Sequence, residues 1–189
     1  MERIELIKAV EAVLFAGGEP ISVSRIAEVF ELREKETLKL MEEVMTHVNT
    51  ADLGLELIRL DDSYQLVSRI EFAPYIKSAF EIKRRTPLSS AALEVLAVVA
   101  YNQPVTRAFI EQVRGVDCSA VVSTLIEKDL IEERGRLELP GRPLLYGTTK
   151  NFLRCFSLSS LEELPPLPDK TPTVTDYAEQ LEIENGITE

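Results

Sequence analysis

His47, Cys118 and Cys155 are the only histidine and the only two cysteines in 189 residues, so any nucleophilic or metal chemistry of that kind must pass through them. Their spacing defeats each use. A zinc site wants three or four nitrogen or sulfur ligands, and two cysteines 37 residues apart with a single histidine do not supply them. Cys118 follows Asp117 just before an expected helix start, where a thiol pKa can fall. No histidine lies nearby to act as its base, and it reads as an ordinary cysteine. Cys155, between Arg154 and Phe156, reads as core or interface packing. His47 sits beside the apolar face of a predicted helix and reads as a structural or surface histidine. Glu42-Glu43 and Glu132-Glu133 are adjacent pairs that point apart on a helix or a strand, so neither is a positioned acid–base couple. Gly17-Gly18 lacks the Lys-Ser/Thr of a phosphate loop and reads as a helix stop. No catalytic constellation, metal site or cofactor site emerges, and the chain is expected not to be an enzyme.

The elements around these residues repeat. Ile4, Leu6, Ile7, Val10, Val13 and Leu14 recur at helical spacing and predict a helix over about residues 3–16. Ser22 is a candidate N-cap for a short helix carrying Ile26, Val29 and Phe30. A third helix, from Glu34 to about Asn49, presents Leu38, Met41, Val44, Met45 and Val48. Leu55–Leu60 and Tyr64–Ser68 alternate as strands around an Asp61-Asp62-Ser63 turn. The second half has the same order. Ser89, Thr106 and Ser119 are placed to cap three helices, and strands follow around Leu130–Glu133 and Leu144–Thr148. An offset of 84 sets Pro20-Ile21-Ser22 on Pro104-Val105-Thr106, Ile26 on Ile110 and Met41 on Leu125, which indicates an internal duplication. Three helices closed by a hairpin are the winged helix-turn-helix plan. The expected fold is α+β, predominantly α: tandem winged helix-turn-helix domains, each three helices plus a β-hairpin wing. The expected boundaries are 1–80, 81–164, and an acidic, proline-containing tail at 165–189. A short helix is expected around Pro74–Phe80, and a weak amphipathic turn around Thr175–Leu181.

Charge tests what such a fold does. The net charge is −11, spread as −6 over residues 1–80, +1 over 81–150 and −6 over 151–189. The longest charge-free apolar run, Val95–Val105, is about half of what a membrane span requires, so no transmembrane segment is expected. The N-terminus, with Glu2 and Glu5, does not resemble a secretion signal, and the chain reads as cytosolic. A winged helix reads DNA by laying its third helix in the major groove. Here that helix carries Lys35 and Lys39 against Glu34, Glu36, Glu42 and Glu43 in the first domain, and Lys128 against Glu127 and Asp129 in the second. Phosphate neutralisation dominates such affinity, so neither helix suits a groove. The fold is expected to serve protein contact. What remains for nucleic acid is Arg107, Arg114, Arg134, Arg136 and Arg142 with Lys83-Arg84-Arg85, whose plainer reading is solvated or paired surface charge. A DNA-binding transcriptional regulator is the alternative function.

Several blocks resemble one known family. Ala12–Ser22, Leu88–Ala97, Ala100–Arg107, Val113–Asp117, Pro140–Thr149 and Leu161–Pro166 are similar to the bacterial segregation and condensation protein B family, over roughly residues 4–167. Ser157 stands where that family often has glycine, and Cys118 where serine is common. The resemblance implies a non-enzymatic subunit of the SMC–kleisin condensin-like complex, without cofactor. It would form a homodimer through its first domain and bind the central region of the kleisin, segregation and condensation protein A, through its second. Through the kleisin it would reach the SMC ATPase and, indirectly, DNA, compacting and partitioning chromosomes in the cytoplasm at the nucleoid. Aromatic and arginine side chains anchor interfaces. Partner contacts are therefore expected at Tyr101, Arg107 and Phe109 near the second helix of the second domain, and at Arg142 and Tyr146 in its proline-braced wing. Leu6, Val10 and Phe15 are candidates for the dimer interface or, equally, for the domain core.

Overall fold

The computed structural model describes residues 2–80 and 87–167. The chain divides into two compact units, Met1–Arg85 and Thr86–Glu189. Lys83-Arg84-Arg85, the Thr175–Leu181 turn and all but the first residues of the acidic tail lie outside the described residues.

The first unit runs α1 (Arg3–Gly17), β1 (Ile21–Ser22), α2 (Val23–Val29), α3 (Glu34–Thr50), β2 (Leu55–Leu60) and β3 (Ser63–Ser68). A 3₁₀ turn at Ile70–Phe72 and α4 (Ala73–Ala79) follow. Gly18 ends α1 in the left-handed conformation at φ 67°, its N–H reaching the Leu14 carbonyl. The Ser22 hydroxyl accepts from the Arg25 N–H at 3.2 Å and starts α2. The strands form one antiparallel sheet in the order β1-β3-β2. Val10 and Leu14 of α1, Ile26 of α2, Leu40, Met41 and Val44 of α3, and Leu57 and Tyr64 of the sheet make the core.

The second unit repeats this as α5 (Ser90–Asn102), β4 (Val105–Thr106), α6 (Arg107–Arg114), α7 (Ser119–Glu127), β5 (Ile131–Arg136) and β6 (Leu144–Thr148), with the sheet ordered β4-β6-β5. The fold is therefore α+β, a winged helix-turn-helix in tandem. Ser89 and Thr106 cap as expected, accepting from the N–H groups of Ala92 and Phe109, each at 3.2 Å. Ser119 does not. It is the first residue of α7, and Asp117 accepts from its N–H at 3.3 Å and its hydroxyl at 2.8 Å. Those two bonds hold the Asp117 carboxylate below its ordinary pKa. The sequence reading also missed α8 (Lys150–Phe156), which Thr149 caps and whose Phe152 and Leu153 are buried. Its apolar pattern is only two turns long, too short to register as a helical period.

The repeat needs three offsets rather than one. Around the second helix 84 holds. The turn before β1 has three residues and the turn before β4 has two, which moves the first helix to 85. The buried Ala92, Val95 and Val99 then fall on Ile7, Val10 and Leu14. In the hairpins the offset is 82: Tyr64 pairs with Ile21 and Tyr146 with Val105, each tyrosine buried on the central strand beside the residue that precedes the cap.

At those offsets a glutamine and a glycine exchange places. In the first unit Gln65 on the strand donates to the Gly18 carbonyl in the turn at 2.7 Å. In the second, Gln103 sits in the turn, and its Oε1 accepts from the Thr148 N–H at 2.7 Å while its Nε2 donates to Thr148 Oγ1 at 2.9 Å. Gly147 occupies the strand position matching Gln65, and a Cβ there would stand 2.7 Å from Gln103 Oε1 and 2.9 Å from Arg134 Cγ. In each unit one long amide ties the turn to the central strand, from the strand in the first and from the turn in the second. Gly147→Ala is therefore expected to destabilise the second unit by about 1–3 kcal/mol. Adding Gln103→Ala should return part of that loss, and thermal denaturation of the two variants checks it.

Candidate functional site

The third helices do not carry a DNA-reading charge pattern. On α3, Glu43 is held by Arg3 of α1 in a two-pronged pair at 2.8 and 2.7 Å, which also keeps the carboxylate below its usual pKa. The arginines left as candidates for phosphate are engaged within the second unit. Arg107 Nε faces Glu111 at 3.4 Å, and Arg114 pairs with Glu94 at 2.8 Å and donates to the Ala91 carbonyl. Arg134 pairs with Glu132 and donates to the Thr148 carbonyl, while Arg142 pairs with Glu138 at 2.7 Å. Arg136 donates to the Arg142 carbonyl. A guanidinium that faces its own chain's carboxylate must give up that contact before it neutralises a phosphate. Among the described residues, no group of three or more His, Cys, Asp or Glu is placed to hold a metal ion. No helix there is long and apolar enough to cross a membrane.

Of the partner contacts expected in the second unit, three are at or near the surface. Arg107 and Arg142 are exposed, and Arg142 is fixed at φ 41° in the wing loop. Tyr101 is half-buried, its hydroxyl donating to the Pro165 carbonyl at 2.6 Å. Two expectations need correction. Phe109 is 2 % exposed because it shares the inward face of α6 with Ile110, and Tyr146 is 8 % exposed because β6 is the central strand, flanked on both sides. Both are core. The cysteines also reverse: Cys155 is exposed, whereas Cys118 is buried, and burial pushes its thiol pKa up rather than down.

In the first unit Val10 is fully buried core, Leu6 packs against that core, and Phe15 stands 73 % exposed. Phe15 belongs to a groove of about 340 Å³ that the sequence reading did not find. Lys8, Glu11, Ala12, Leu14 and Phe15 of α1 line it with Val48 of α3, Leu53, Leu55 of β2 and Leu66 of β3. The charged groups in or beside its wall are Lys8, Glu11 and His47, the last placing Nε2 at 3.6 Å from Glu11 Oε1.

Two side chains hold the far wall. Asn49 brackets the edge of β2, accepting from the Leu57 N–H at 2.7 Å and donating to the Leu57 carbonyl at 3.0 Å. Arg69, just beyond β3, donates from Nη2 to the Asn49 and Ala51 carbonyls at 3.0 and 3.4 Å, and from Nε to the Leu53 carbonyl at 2.9 Å. These are carbonyls of the last turn of α3 and the loop after it, which no helical N–H can satisfy. Thus Arg69 sets the loop that carries Leu53 into the groove. No motif signalled it, since its partners are backbone atoms that the fold alone brings near.

Comparison with known proteins places both units in one lineage. The profile described as "Segregation and condensation complex subunit ScpB" matches residues 8–167. Segregation and condensation protein B of Alkaliphilus oremlandii is 45 % identical over 169 residues, 89 % of this chain and 91 % of the relative. That of Geobacillus kaustophilus is 48 % identical over 161 residues, 85 % and 74 % of the two chains. Among solved structures, ScpB from Mycobacterium tuberculosis is 33 % identical, covering 84 % of this chain and 98 % of that one, with a TM-score of 0.40. A dimer of an ScpB N-terminal domain complexed with ScpA peptide is 35 % identical over 39 % of this chain and 91 % of that one, with a TM-score of 0.37.

Arg69→Ala should cost about 1–3 kcal/mol by leaving carbonyls unpaired and should speed amide exchange in the Leu53–Leu57 segment. Arg69→Lys should recover little, because one ammonium cannot span three carbonyls in the place of a planar fork. Hydrogen-exchange mass spectrometry reads both. With a thiol reagent at neutral pH, Cys155 should label at once and Cys118 only on unfolding; prompt double labelling of the native chain would contradict the burial described above.

Proposed function

The chain belongs to the family of the segregation and condensation complex subunit ScpB, and from that premise we propose that it is a non-enzymatic subunit of a bacterial SMC–kleisin complex. In this reading it is a homodimer that binds the central region of the kleisin, segregation and condensation protein A, and so supports chromosome condensation and partition in the cytoplasm at the nucleoid. The observation that carries the reading is a family match running through both winged helices, residues 8–167. The physics of the surface agrees: a glutamate-rich α3, an α7 without a basic residue, and arginines that face carboxylates of their own unit.

Contacts to the partner in the second unit then fall on Arg107, Arg142 and Tyr101, not on the buried Phe109 and Tyr146. The wing favours this. Arg142 stands exposed in the wing loop, its backbone at φ 41° and its guanidinium beside Glu138, where a partner's carboxylate or carbonyl can reach it. For self-association we assign the exposed apolar side chains after the first wing, Ile70, Tyr75 and Phe80, which are 84, 74 and 74 % exposed.

Titration calorimetry of the full chain against the kleisin of the same cell tests the first assignment. Arg142→Ala should weaken binding by more than about 1 kcal/mol, as an interface anchor does, with the circular dichroism spectrum unchanged; undiminished affinity rejects the placement. Light scattering of Ile70→Asp/Tyr75→Asp should show a monomer where the parent chain is a dimer. A sequence-dependent gel shift by the parent chain alone at about 150 mM salt would instead mark a DNA-reading regulator.

A further inference from the structure

The groove of the first unit is where the two repeats diverge chemically. At the offset that aligns their first helices, Glu11 matches Leu96, which is 2 % exposed in the second unit. An aliphatic core position has become a carboxylate in the wall of an apolar groove. Glu11 Oε1 is buried and, among the described residues, has no hydrogen-bond partner. His47 Nε2, at 3.6 Å, is too far for a good hydrogen bond and is a full cation only when protonated. The Glu11 side chain as a whole keeps 28 % of its exposure, so the carboxylate is partly stripped of water yet still reachable. Lys8, one turn earlier, is exposed on a flexible stem and free to turn toward solvent. The rest of the lining, from Leu14 and Phe15 to Val48, Leu55 and Leu66, is apolar.

We infer that this groove is the docking site for a partner segment whose aliphatic side chains flank a single basic residue, the aliphatic groups filling the groove and the cation meeting Glu11. The inference rests on the kleisin-binding reading and extends it to the first unit: besides the segment that meets Arg107, Arg142 and Tyr101, the kleisin has a second segment, with a lysine or arginine between aliphatic residues, that docks in this groove. Charge favours such an occupant, since residues 1–80 carry a net −6. Shape disfavours a second copy of the same surface, because two concave walls do not fill each other and would bring Glu11 toward Glu11. A semi-buried carboxylate lacking donors gains more from an arriving cation than one in water does.

The test uses the full chain, the intact kleisin of the same cell, and overlapping synthetic peptides that span it. Captured peptides should contain the aliphatic–basic–aliphatic pattern. Glu11→Gln keeps the shape and removes the charge, and should weaken binding of the captured peptide about tenfold or more, the equivalent of about 1.4 kcal/mol. Replacing the peptide's basic residue by norleucine should cause the same loss with the parent chain and little further loss with Glu11→Gln. Glu11→Leu should melt no lower than the parent, because Leu96 shows that the repeat accepts an aliphatic side chain there. It should nevertheless lose the preference for the basic peptide, which separates a lost site from a lost fold. Kleisin binding that is insensitive to both Glu11 variants overturns this inference alone. Failure of the parent chain to bind kleisin overturns the underlying reading as well. Loss of self-association in both variants by light scattering also overturns the inference, making a second copy the occupant.

Discussion

A helix ends with carbonyls that its own N–H groups cannot reach, and both units meet this need from the far side of the hairpin. Five residues after the central-strand tyrosine, one side chain reaches back to the end of the third helix. In the first unit it is Arg69, bonding Asn49, Ala51 and Leu53; in the second it is Asn151, bonding Lys128 and Asp129. That bridge fixes the third helix against the wing. The edge of β2, the loop carrying Leu53 and the groove beside α1 all take their places from it. Arg69 spans a longer loop and needs three donors in a fork; Asn151 spans a tighter one and needs a single amide.

The winged helix is a scaffold that elsewhere reads DNA with its third helix, and here neither α3 nor α7 carries the positive charge such reading requires. Glutamates are placed along α3, and a carboxylate stands beside most of the exposed arginines of the second unit. Each such surface pair adds little to stability. Each guanidinium so paired would have to exchange its carboxylate for a phosphate before it met a polyanion.

The two units keep one element order and one sheet order although their turns and side chains differ. Gln65 reaches from the strand to the Gly18 carbonyl in the turn, and Gln103 reaches from the turn to Thr148 on the strand. Only the second glycine makes room: a Cβ at Gly147 would stand 2.7 Å from Gln103 Oε1, whereas one at Gly18 would meet nothing within 4 Å, that glycine serving the left-handed turn. Glu11 against Leu96 is a change of another kind: among the described residues Glu11 Oε1 has no hydrogen-bond partner and only His47 stands near it, at 3.6 Å.

Most of the architecture was legible in the sequence because it rests on local rules. Apolar spacing set the helices, Ser22, Ser89 and Thr106 set their starts, Gly17-Gly18 set a stop, and alternation set Leu55–Leu60 and Leu144–Thr148. Charge along α3 and α7, too, is a property of the sequence alone. Burial was not. Phe109 and Tyr146 look like anchors by residue type, but which face of α6 turns inward, and which strand lies central, depends on pairing with β4, a strand of two residues with no pattern of its own. Cys118 lies where a helix start would lower its pKa, yet packing raises it. The groove and its Arg69 brace join residues 8 to 69 through backbone atoms, whose identity is the same at every position and so leaves no trace in a sequence. Local propensity therefore determined the elements and the kind of surface; only the tertiary structure decided which side chains reach that surface, because burial is set by neighbours distant in the chain.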